Sequence, residues 1–108
     1  MTLITYEDFA KLDMRVARIV EVEKIPGKSK IVKGVIDLGD EKRVVIIGGA
    51  DYYQPEELVG KTVIALVNLE TRIIAGIESS AMLLAADQND KPYWLTVDED
   101  ILLGTRIK

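Results

Sequence analysis

The stretch at residues 61–86 constrains the fold of this chain more than any other. It holds two apolar runs, at 63–67 and 82–86, separated by glycine, serine, asparagine and charged residues. Short β-branched runs bounded by such residues are typical of strands, so we predict two strands joined by a long loop. The loop also holds four large aliphatic residues, so we expect it to fold back on the domain and to fix its polar groups in place. These four are Leu69, Ile73, Ile74 and Ile77.

Composition sets the outer bounds on fold and location. The chain has 108 residues, of which 48% are hydrophobic and 30% charged, which predicts one globular domain spanning residues 1–108. No apolar run approaches the roughly 18 residues of a membrane span, and the amino terminus meets two acids before any base, unlike a secretory signal. Because the chain has no cysteine, a reducing compartment fits, and we expect a cytoplasmic protein with no membrane partner.

Charge is unevenly distributed along the chain. Residues 1–50 carry nine Lys/Arg and eight Asp/Glu, whereas residues 51–108 carry five and ten, which gives +1 and −5 and the net charge of −4. Such a molecule would not attract a polyanion over long range. Any nucleic-acid site therefore has to be a local basic face.

The remaining strands are predicted from the same kind of pattern. A long strand is expected at 14–25, and because its apolar alternation changes parity, we expect a bulge or strong bend near 17–19. Strands at 31–38 and 43–47 are separated by a short turn and should form a hairpin. A last strand is predicted at 93–97.

Two short helical segments complete the prediction. Thr5 begins a capping-box variant, which predicts a helix over 6–12 with Phe9 and Leu12 facing inward. A proline at the first position predicts one helical turn at 55–58. This order predicts an all-β OB fold, the five-stranded Greek-key barrel, with a short amino-terminal helix and one helical turn between strands 3 and 4. The fold alone says little about the ligand.

The sequence lacks catalytic and metal-binding motifs. No histidine is present to activate the hydroxyls of Ser79 and Ser80 or to bind a metal. Three consecutive acids at 98–100 would alternate in direction on an extended chain, so they are typical of a solvated turn. We therefore expect a protein that is not an enzyme and has no metal or other cofactor.

Six basic residues cluster around the loop between the first two strands and the hairpin that follows. Such a cluster is often only a solubilising surface. In this fold, however, a phosphate-binding face lies across the second and third strands and the adjoining loops. The six are Lys24, Lys28, Lys30, Lys33, Lys42 and Arg43. All except Lys24 are predicted to hold RNA phosphates.

A second group of polar residues lies in and after the loop at 68–81. Residues of this kind often only satisfy backbone groups of the loop itself. Alternatively, their amide, guanidinium and hydroxyl groups read a splayed RNA base while a methionine supports the face of that base. The spacing leaves both interpretations open. The group consists of Asn68, Arg72, Ser79, Ser80 and Met82.

Three segments carry a specific resemblance to a known family. They are FAKLDMRVARIVEVEKIP at 9–26, IDLGDEKRVVIIGGADYYQPEELVGKTV at 36–63 and NLETRIIAGIESSAMLLAA at 68–86. The chain resembles the stand-alone tRNA-binding domain family, which includes the module at the carboxyl end of many bacterial methionyl-tRNA synthetases. The resemblance implies an OB-fold homodimer that binds tRNA with little sequence preference and assists an aminoacyl-tRNA synthetase in trans.

Family residues carry over by position, with some departures. Asn68 begins the family's Asn-Leu pair, and Ser79 with Met82 matches its RNA-contacting pair. Each family lysine that is lost here removes a phosphate contact, so these departures from the family predict weak RNA binding. The departures are Glu70 and Thr71 in place of Lys-Pro, Ile73 in place of a common lysine, and Ala81 in place of a glycine.

Two rival functions remain open. The same family includes CsaA, a chaperone-like protein that the chain resembles at KLDMRV and RIIAG. This resemblance implies unfolded or presecretory polypeptides as the ligand, and an assembly module that touches no RNA is the third possibility. RNA binding should fall steeply with salt, whereas apolar peptide binding should not. No DNA partner is expected.

Family habit and the apolar carboxyl tail also predict a homodimer. The residues predicted to form its interface are Ile101, Leu102 and Leu103.

Overall fold

The chain folds into a curled antiparallel sheet with two short helices and two small hairpins, and the computed structural model describes all of residues 1–108. In chain order the elements are α1 Tyr6–Ala10, β1 Met14–Lys24, β2 Ile31–Asp37, β3 Lys42–Gly48, α2 Pro55–Leu58, β4 Thr62–Leu66, β5 Arg72–Ile74, β6 Ile77–Ser79, β7 Met82–Leu83, β8 Ala85–Gln88 and β9 Lys91–Trp94. The main sheet has the strand order β3-β2-β1-β4-β7, and the hairpins β5–β6 and β8–β9 are separate from it. Neither helix is long enough to cross a membrane.

Strand β1 carries the bend that curls this sheet. Its first half pairs with β4 and its second half pairs with β2. Between Ile19 and Glu21 the register with β2 shifts, and an extra residue in one strand bends it and increases its twist. The predicted bulge is therefore present, slightly beyond the expected 17–19. It explains how Ile19 and Val22, which differ in parity, both pack in the core.

The core of the barrel is a cluster of 13 buried aliphatic side chains that come from every strand of the main sheet. Leu58 of α2 belongs to this cluster and is 0% exposed. Burying a leucine side chain contributes about 2 kcal/mol. The proline-initiated turn that the sequence predicts therefore anchors the connection between β3 and β4 in the core.

The barrel closes through hydrogen bonds between β3 and the last residue of β6 together with the residue that follows it. Ser80 N donates to Val44 O at 3.1 Å, and Ile46 N donates to Ser79 Oγ at 3.1 Å. The result is a nearly closed OB-type barrel. The fold class predicted from the sequence is confirmed.

The loop at 68–81 is more regular than predicted, because its centre forms the β5–β6 hairpin. Ile74 and Ile77 pair there and are half-buried, whereas Leu69 is 44% exposed and Ile73 is 77% exposed. The loop thus contacts the barrel through Ile74 and Ile77, as expected of it, whereas Leu69 and Ile73 stay exposed. A hairpin has two faces, and only one of them meets the barrel.

Two strand boundaries in the last third of the chain also differ from the prediction. The predicted strand at 82–86 divides between β7, which pairs with β4, and β8, which pairs with β9. The last strand is Lys91–Trp94 rather than 93–97. Both differences arise because the pairing partner decides where a strand ends, and the local pattern does not reveal that partner.

Helix α1 begins as predicted, with Thr5 Oγ1 accepting a hydrogen bond from Asp8 N at 3.1 Å. It ends earlier than predicted, at Ala10, and buries no residue. Leu12 is 39% exposed, so the prediction that it faces inward is wrong, while Phe9 is half-buried. The cap decides where the helix starts, but five residues are too few to form an apolar face of their own.

The carboxyl tail runs along β1 beside the half that β2 leaves unpaired. Val16 N donates to Thr105 O at 2.9 Å. Ile107 N donates to Met14 O at 2.8 Å. The tail thereby satisfies backbone groups of a strand edge that would otherwise be open.

Candidate nucleic-acid interface

The β1–β2 loop presents two exposed cations of the predicted basic cluster. Lys28 and Lys30 are both exposed. The loop is fixed at both ends, since Lys28 N donates to Ile25 O at 3.0 Å and Ala50 N donates to Lys30 O at 3.1 Å. Neither lysine has a carboxylate within 4 Å of its Nζ. Both ammonium groups are therefore available to an anionic ligand.

The outer face of β2 and β3 is mixed in charge rather than basic. Lys33 lies opposite Glu23 in the β1–β2 ladder and forms an ion pair with it at 3.4 Å. Glu21 lines the same shallow groove as Lys33. Lys42 is exposed at the start of β3. An exposed ion pair of this kind is weak, at most about 1 kcal/mol, so an incoming phosphate could compete for Lys33 but would meet a carboxylate beside it.

Arg43 points away from Lys42, because consecutive residues of a strand face opposite sides. It shares the parity of the core residues Val45 and Ile47. Its Nη1 donates to Val67 O at 2.6 Å and to Ser80 O at 3.1 Å. The side chain also forms an ion pair with Glu41 at 2.7 Å. Arg43 therefore joins β3 to the ends of β4 and β6, and its donors are already engaged.

Three residues of the predicted polar group do come together in one pocket beside the β5–β6 hairpin. Arg72, Ser79 and Met82 line it, with Ile46 as an apolar neighbour and Glu70 as an acidic one. Arg72 lies opposite Ser79 in the hairpin and has no carboxylate within 4 Å. Met82 is 43% exposed. An exposed guanidinium beside an exposed thioether can contact a base or a phosphate.

The hydroxyls and the amide of this group satisfy backbone groups instead. Ser79 is only 8% exposed, and its Oγ accepts from Ile46 N and donates to Ala81 O at 3.2 Å. Ser80 Oγ donates to Val44 O at 3.3 Å. These are the structural roles that the sequence left as one of two interpretations. Contact of either serine with RNA stays a prediction.

Asn68 lies apart from the pocket and fastens α1 to the barrel. Its Nδ2 donates to Lys11 O at 2.6 Å, and its Oδ1 accepts from Asp13 N at 2.9 Å. One amide thus bridges two backbone groups that are far away in sequence. This role positions the amino-terminal segment, and RNA contact by Asn68 also stays a prediction.

An ion-pair cluster that the sequence analysis did not identify lies at the start of β1. Arg15 Nε donates to Asp13 Oδ1 at 2.9 Å, and Arg106 of the tail lies 3.9 Å from the same carboxylate. The hydrogen bond from Arg15 holds the pKa of Asp13 below its ordinary value of 3.8, and it raises the pKa of Arg15. An Asp-x-Arg spacing on a strand was the available signal, since such residues share a face.

No three acidic side chains converge in an arrangement that could hold a metal ion. The features that remain are a small OB-type barrel, an exposed lysine loop and a pocket with a free guanidinium. Together they define the class of OB-fold ligand-binding barrels.

Sequence and structure comparisons identify the family within that class. The family described as "Putative tRNA binding domain" matches residues 14–106. The chain therefore belongs to the tRNA-binding domain family. It is 46% identical over 104 residues to the methionine–tRNA ligase of Thermotoga maritima. The matched region covers 96% of this chain but only 16% of that enzyme. The chain thus spans about a sixth of the length of that relative.

Two solved structures share the whole fold. A MetRS-related protein from Pyrococcus horikoshii has a TM-score of 0.93 at 38% identity, and the match covers 100% of both chains. The CsaA chaperone protein from Picrophilus torridus has a TM-score of 0.88 at 33% identity, with 98% of this chain and 100% of that chain covered. The predicted relationship to both branches of the family is confirmed.

Proposed function

We propose that this protein is a non-catalytic tRNA-binding module that assists an aminoacyl-tRNA synthetase in trans, in the cytoplasm. The observation that supports this proposal most is the family match over residues 14–106, together with 46% identity to a domain-sized part of a methionine–tRNA ligase. The likeness to a MetRS-related structure from P. horikoshii, at 38% identity, also supports a role beside a methionyl-tRNA synthetase.

The geometry supports two different roles for the predicted RNA-contacting residues: some contact RNA, and others stabilise the surface that does so. Lys28 and Lys30 are exposed and unpaired, so they hold phosphates. Arg72 and Met82 contact a base or the backbone at the pocket beside the β5–β6 hairpin. The engaged residues Arg43, Asn68, Ser79 and Ser80 act by holding this surface in shape.

Direct titration tests the proposal. Fluorescence anisotropy of labelled bulk tRNA at two salt concentrations should show binding that weakens as salt rises, because phosphate neutralisation releases counterions. A denatured polypeptide added as competitor should displace little tRNA. Absence of tRNA binding in dilute buffer would overturn the proposed function.

A chaperone function is the second candidate, and the similarity to the P. torridus CsaA structure is the observation that favours it. Leu69 and Ile73 also expose apolar surface at the β5–β6 hairpin, which an unfolded polypeptide could cover. This candidate predicts that denatured polypeptide binds with little dependence on salt and displaces any bound tRNA.

We also propose that the protein is a homodimer. Leu102 is 84% exposed and Ile101 is 41% exposed, whereas Leu103 is half-buried. Burial of these side chains against a second copy would remove apolar area from water. Sedimentation should give about twice the chain mass of 12.0 kDa, and Leu102→Glu should return it to the mass of one chain. A single-chain mass for the unaltered protein would contradict this proposal.

A further inference from the structure

Four side chains form a cluster where the β3–α2 loop meets the β8–β9 hairpin. The Nζ of Lys91 lies over three tyrosine rings, at 5.8 Å from the centroid of Tyr52, 5.5 Å from that of Tyr53 and 5.2 Å from that of Tyr93. A cation within about 6 Å of a ring centroid is attracted to the ring face. The three rings therefore hold the ammonium group in position. We call these four residues the tyrosine–lysine cluster.

The cluster stands on a firm support. Tyr53 donates a hydrogen bond from its hydroxyl to Pro92 O at 2.7 Å, and its ring centroid lies 6.3 Å from that of Trp94. Gly49 has φ +76°, and a Cβ there would collide with the ring of Pro92. The β3–α2 loop and the β8–β9 hairpin are thus packed as closely as their backbones allow.

Two rings of the tyrosine–lysine cluster stay accessible. Tyr52 and Tyr93 are each 46% exposed. Packing against the barrel accounts for Tyr53 and Trp94, which adjoin the core, but it does not account for two exposed rings beside a lysine that has no carboxylate within 4 Å. Accessible aromatic rings on a rigid OB-type barrel are suited to stacking on unpaired bases.

The tyrosine–lysine cluster adjoins the lysine loop. Lys24 and Lys28 line the same cleft as Tyr53, and Ala50, two residues before Tyr52, is hydrogen-bonded to Lys30 O at 3.1 Å. A phosphate held by the loop would therefore lie on the side of the barrel that carries Tyr53. A base attached to that stretch of RNA backbone would lie on the same side as the tyrosine–lysine cluster.

We propose that Tyr52 and Tyr93 form a stacking platform for unpaired RNA bases, held in place by Lys91. This inference rests on the proposed function and deepens it, because it names the part of the RNA that this surface takes. Asp87 and Asp90 lie in the same hairpin and offset the charge of Lys91. The platform therefore contributes stacking rather than phosphate neutralisation.

Paired variants test the platform by anisotropy, with bulk tRNA and a single-stranded oligouridylate as probes. The double variant Tyr52→Leu/Tyr93→Leu should bind both probes at least about tenfold more weakly, with the salt slope unchanged, because stacking is lost and no phosphate contact is. Tyr52→Phe/Tyr93→Phe keeps both rings and should bind as the unaltered protein does. Tyr6→Leu is the matched control, since Tyr6 is 79% exposed on α1 and lies outside the cluster.

Fluorescence of the single tryptophan gives a second measurement that needs no variant. Trp94 packs against Tyr53, so saturating oligouridylate should change its emission. Unchanged emission at saturation overturns the platform, as does equal RNA binding by the double leucine variant. The platform would also be overturned if the double leucine variant lost binding of denatured polypeptide but kept RNA binding, because the two rings would then form a peptide-binding surface. If only the platform is wrong, the unaltered protein still binds tRNA. If the proposed function is wrong, the unaltered protein does not bind tRNA.

Discussion

At the scale of single residues, Arg43 and its neighbour Lys42 show that a shift of one strand position separates a side chain that stabilises the fold from one that is free to bind a ligand. Lys42 is exposed, whereas the Arg43 guanidinium donates to two backbone carbonyls on other strands. Hydrogen bonds from a charged group contribute about 1.5–3 kcal/mol each, and buried acceptors left without a partner carry their own cost. Arg43, which the sequence pattern placed among the residues that bind RNA, thus stabilises the barrel on which those residues lie.

Substitution of Arg43 should therefore reduce stability much more than substitution of Lys42. We expect Arg43→Ala to lower the free energy of unfolding by about 2–3 kcal/mol. The matched control Lys42→Ala should stay within about 0.5 kcal/mol of the unaltered protein. Urea unfolding monitored by circular dichroism measures both, and equal stability of the two variants would refute the structural role of Arg43.

The lowered pKa of Asp13 predicts that the free energy of unfolding depends on pH. This pKa is lowered in the folded state by the hydrogen bond from Arg15, so the folded state binds a proton less readily than the unfolded state. The resulting stability is present above the ordinary pKa of 3.8 and is lost as the pH falls through the lowered value. Asp13→Asn should be up to about 1 kcal/mol less stable at neutral pH.

Thermal unfolding as a function of pH measures this contribution. The difference in Tm between Asp13→Asn and the unaltered protein should be present at pH 7 and should shrink in the acid range below the ordinary pKa. Asp8→Asn is a suitable control, because its ion pair with Lys11 is largely exposed. A difference that is constant at every pH would contradict the linkage.

At the scale of elements, the close approach of β3 to the β8–β9 hairpin depends on one glycine of a pair. Gly49 has φ +76°, and a side chain there would collide with Pro92. Gly48 has an ordinary φ and no atom within 4 Å of a Cβ built on it. The two adjacent glycines are equivalent in sequence and different in structure.

We expect Gly49→Ala to lower the free energy of unfolding by about 1–3 kcal/mol, since it adds a clash to an unfavourable backbone conformation. Gly48→Ala is the matched control and should stay within about 1 kcal/mol of the unaltered protein. Denaturant unfolding compares them. Similar losses in both variants would show that contact with Pro92 is not what matters.

At the scale of the whole molecule, an acidic protein has to capture a polyanion through a local surface. Its net charge is −4, so repulsion acts at long range and the exposed lysines of the β1–β2 loop act at contact. Lys33, which is paired with Glu23, contributes less than the unpaired Lys28 and Lys30.

The double variant Lys28→Glu/Lys30→Glu should weaken tRNA binding and reduce the slope of log affinity against log salt by about one per lysine. Lys33→Glu should change the slope less, because this lysine is already partly neutralised. Lys61→Glu is a control that changes the same charge outside the predicted basic cluster. Anisotropy over a range of salt concentrations measures the slopes, and equal slopes for all variants would refute this assignment.

Sequence patterns predicted the elements more reliably than the contacts. The hairpin of β2 and β3, the β1 bulge and the anchored turn at α2 all follow from local signals that short segments carry. The division of the 82–86 run between two sheets does not follow from them, because it depends on strands that pair from elsewhere in the chain. The same reason explains why Asp13 and Arg106 were not identified as partners.

By itself, then, the sequence determined an OB-type barrel, because alternation, turns and caps act between neighbouring residues and each of them favours this fold. The relationship to the tRNA-binding family came from the resemblance of the segments at 9–26, 36–63 and 68–86. Only the tertiary structure decided which polar groups face solvent and which satisfy the backbone. Asn68 and Ser79 are engaged in the frame, while Arg72 and the lysine loop stay free. The physical reason is that a hydrogen-bond partner is set by distance in space, which closure of the barrel creates and sequence spacing does not record.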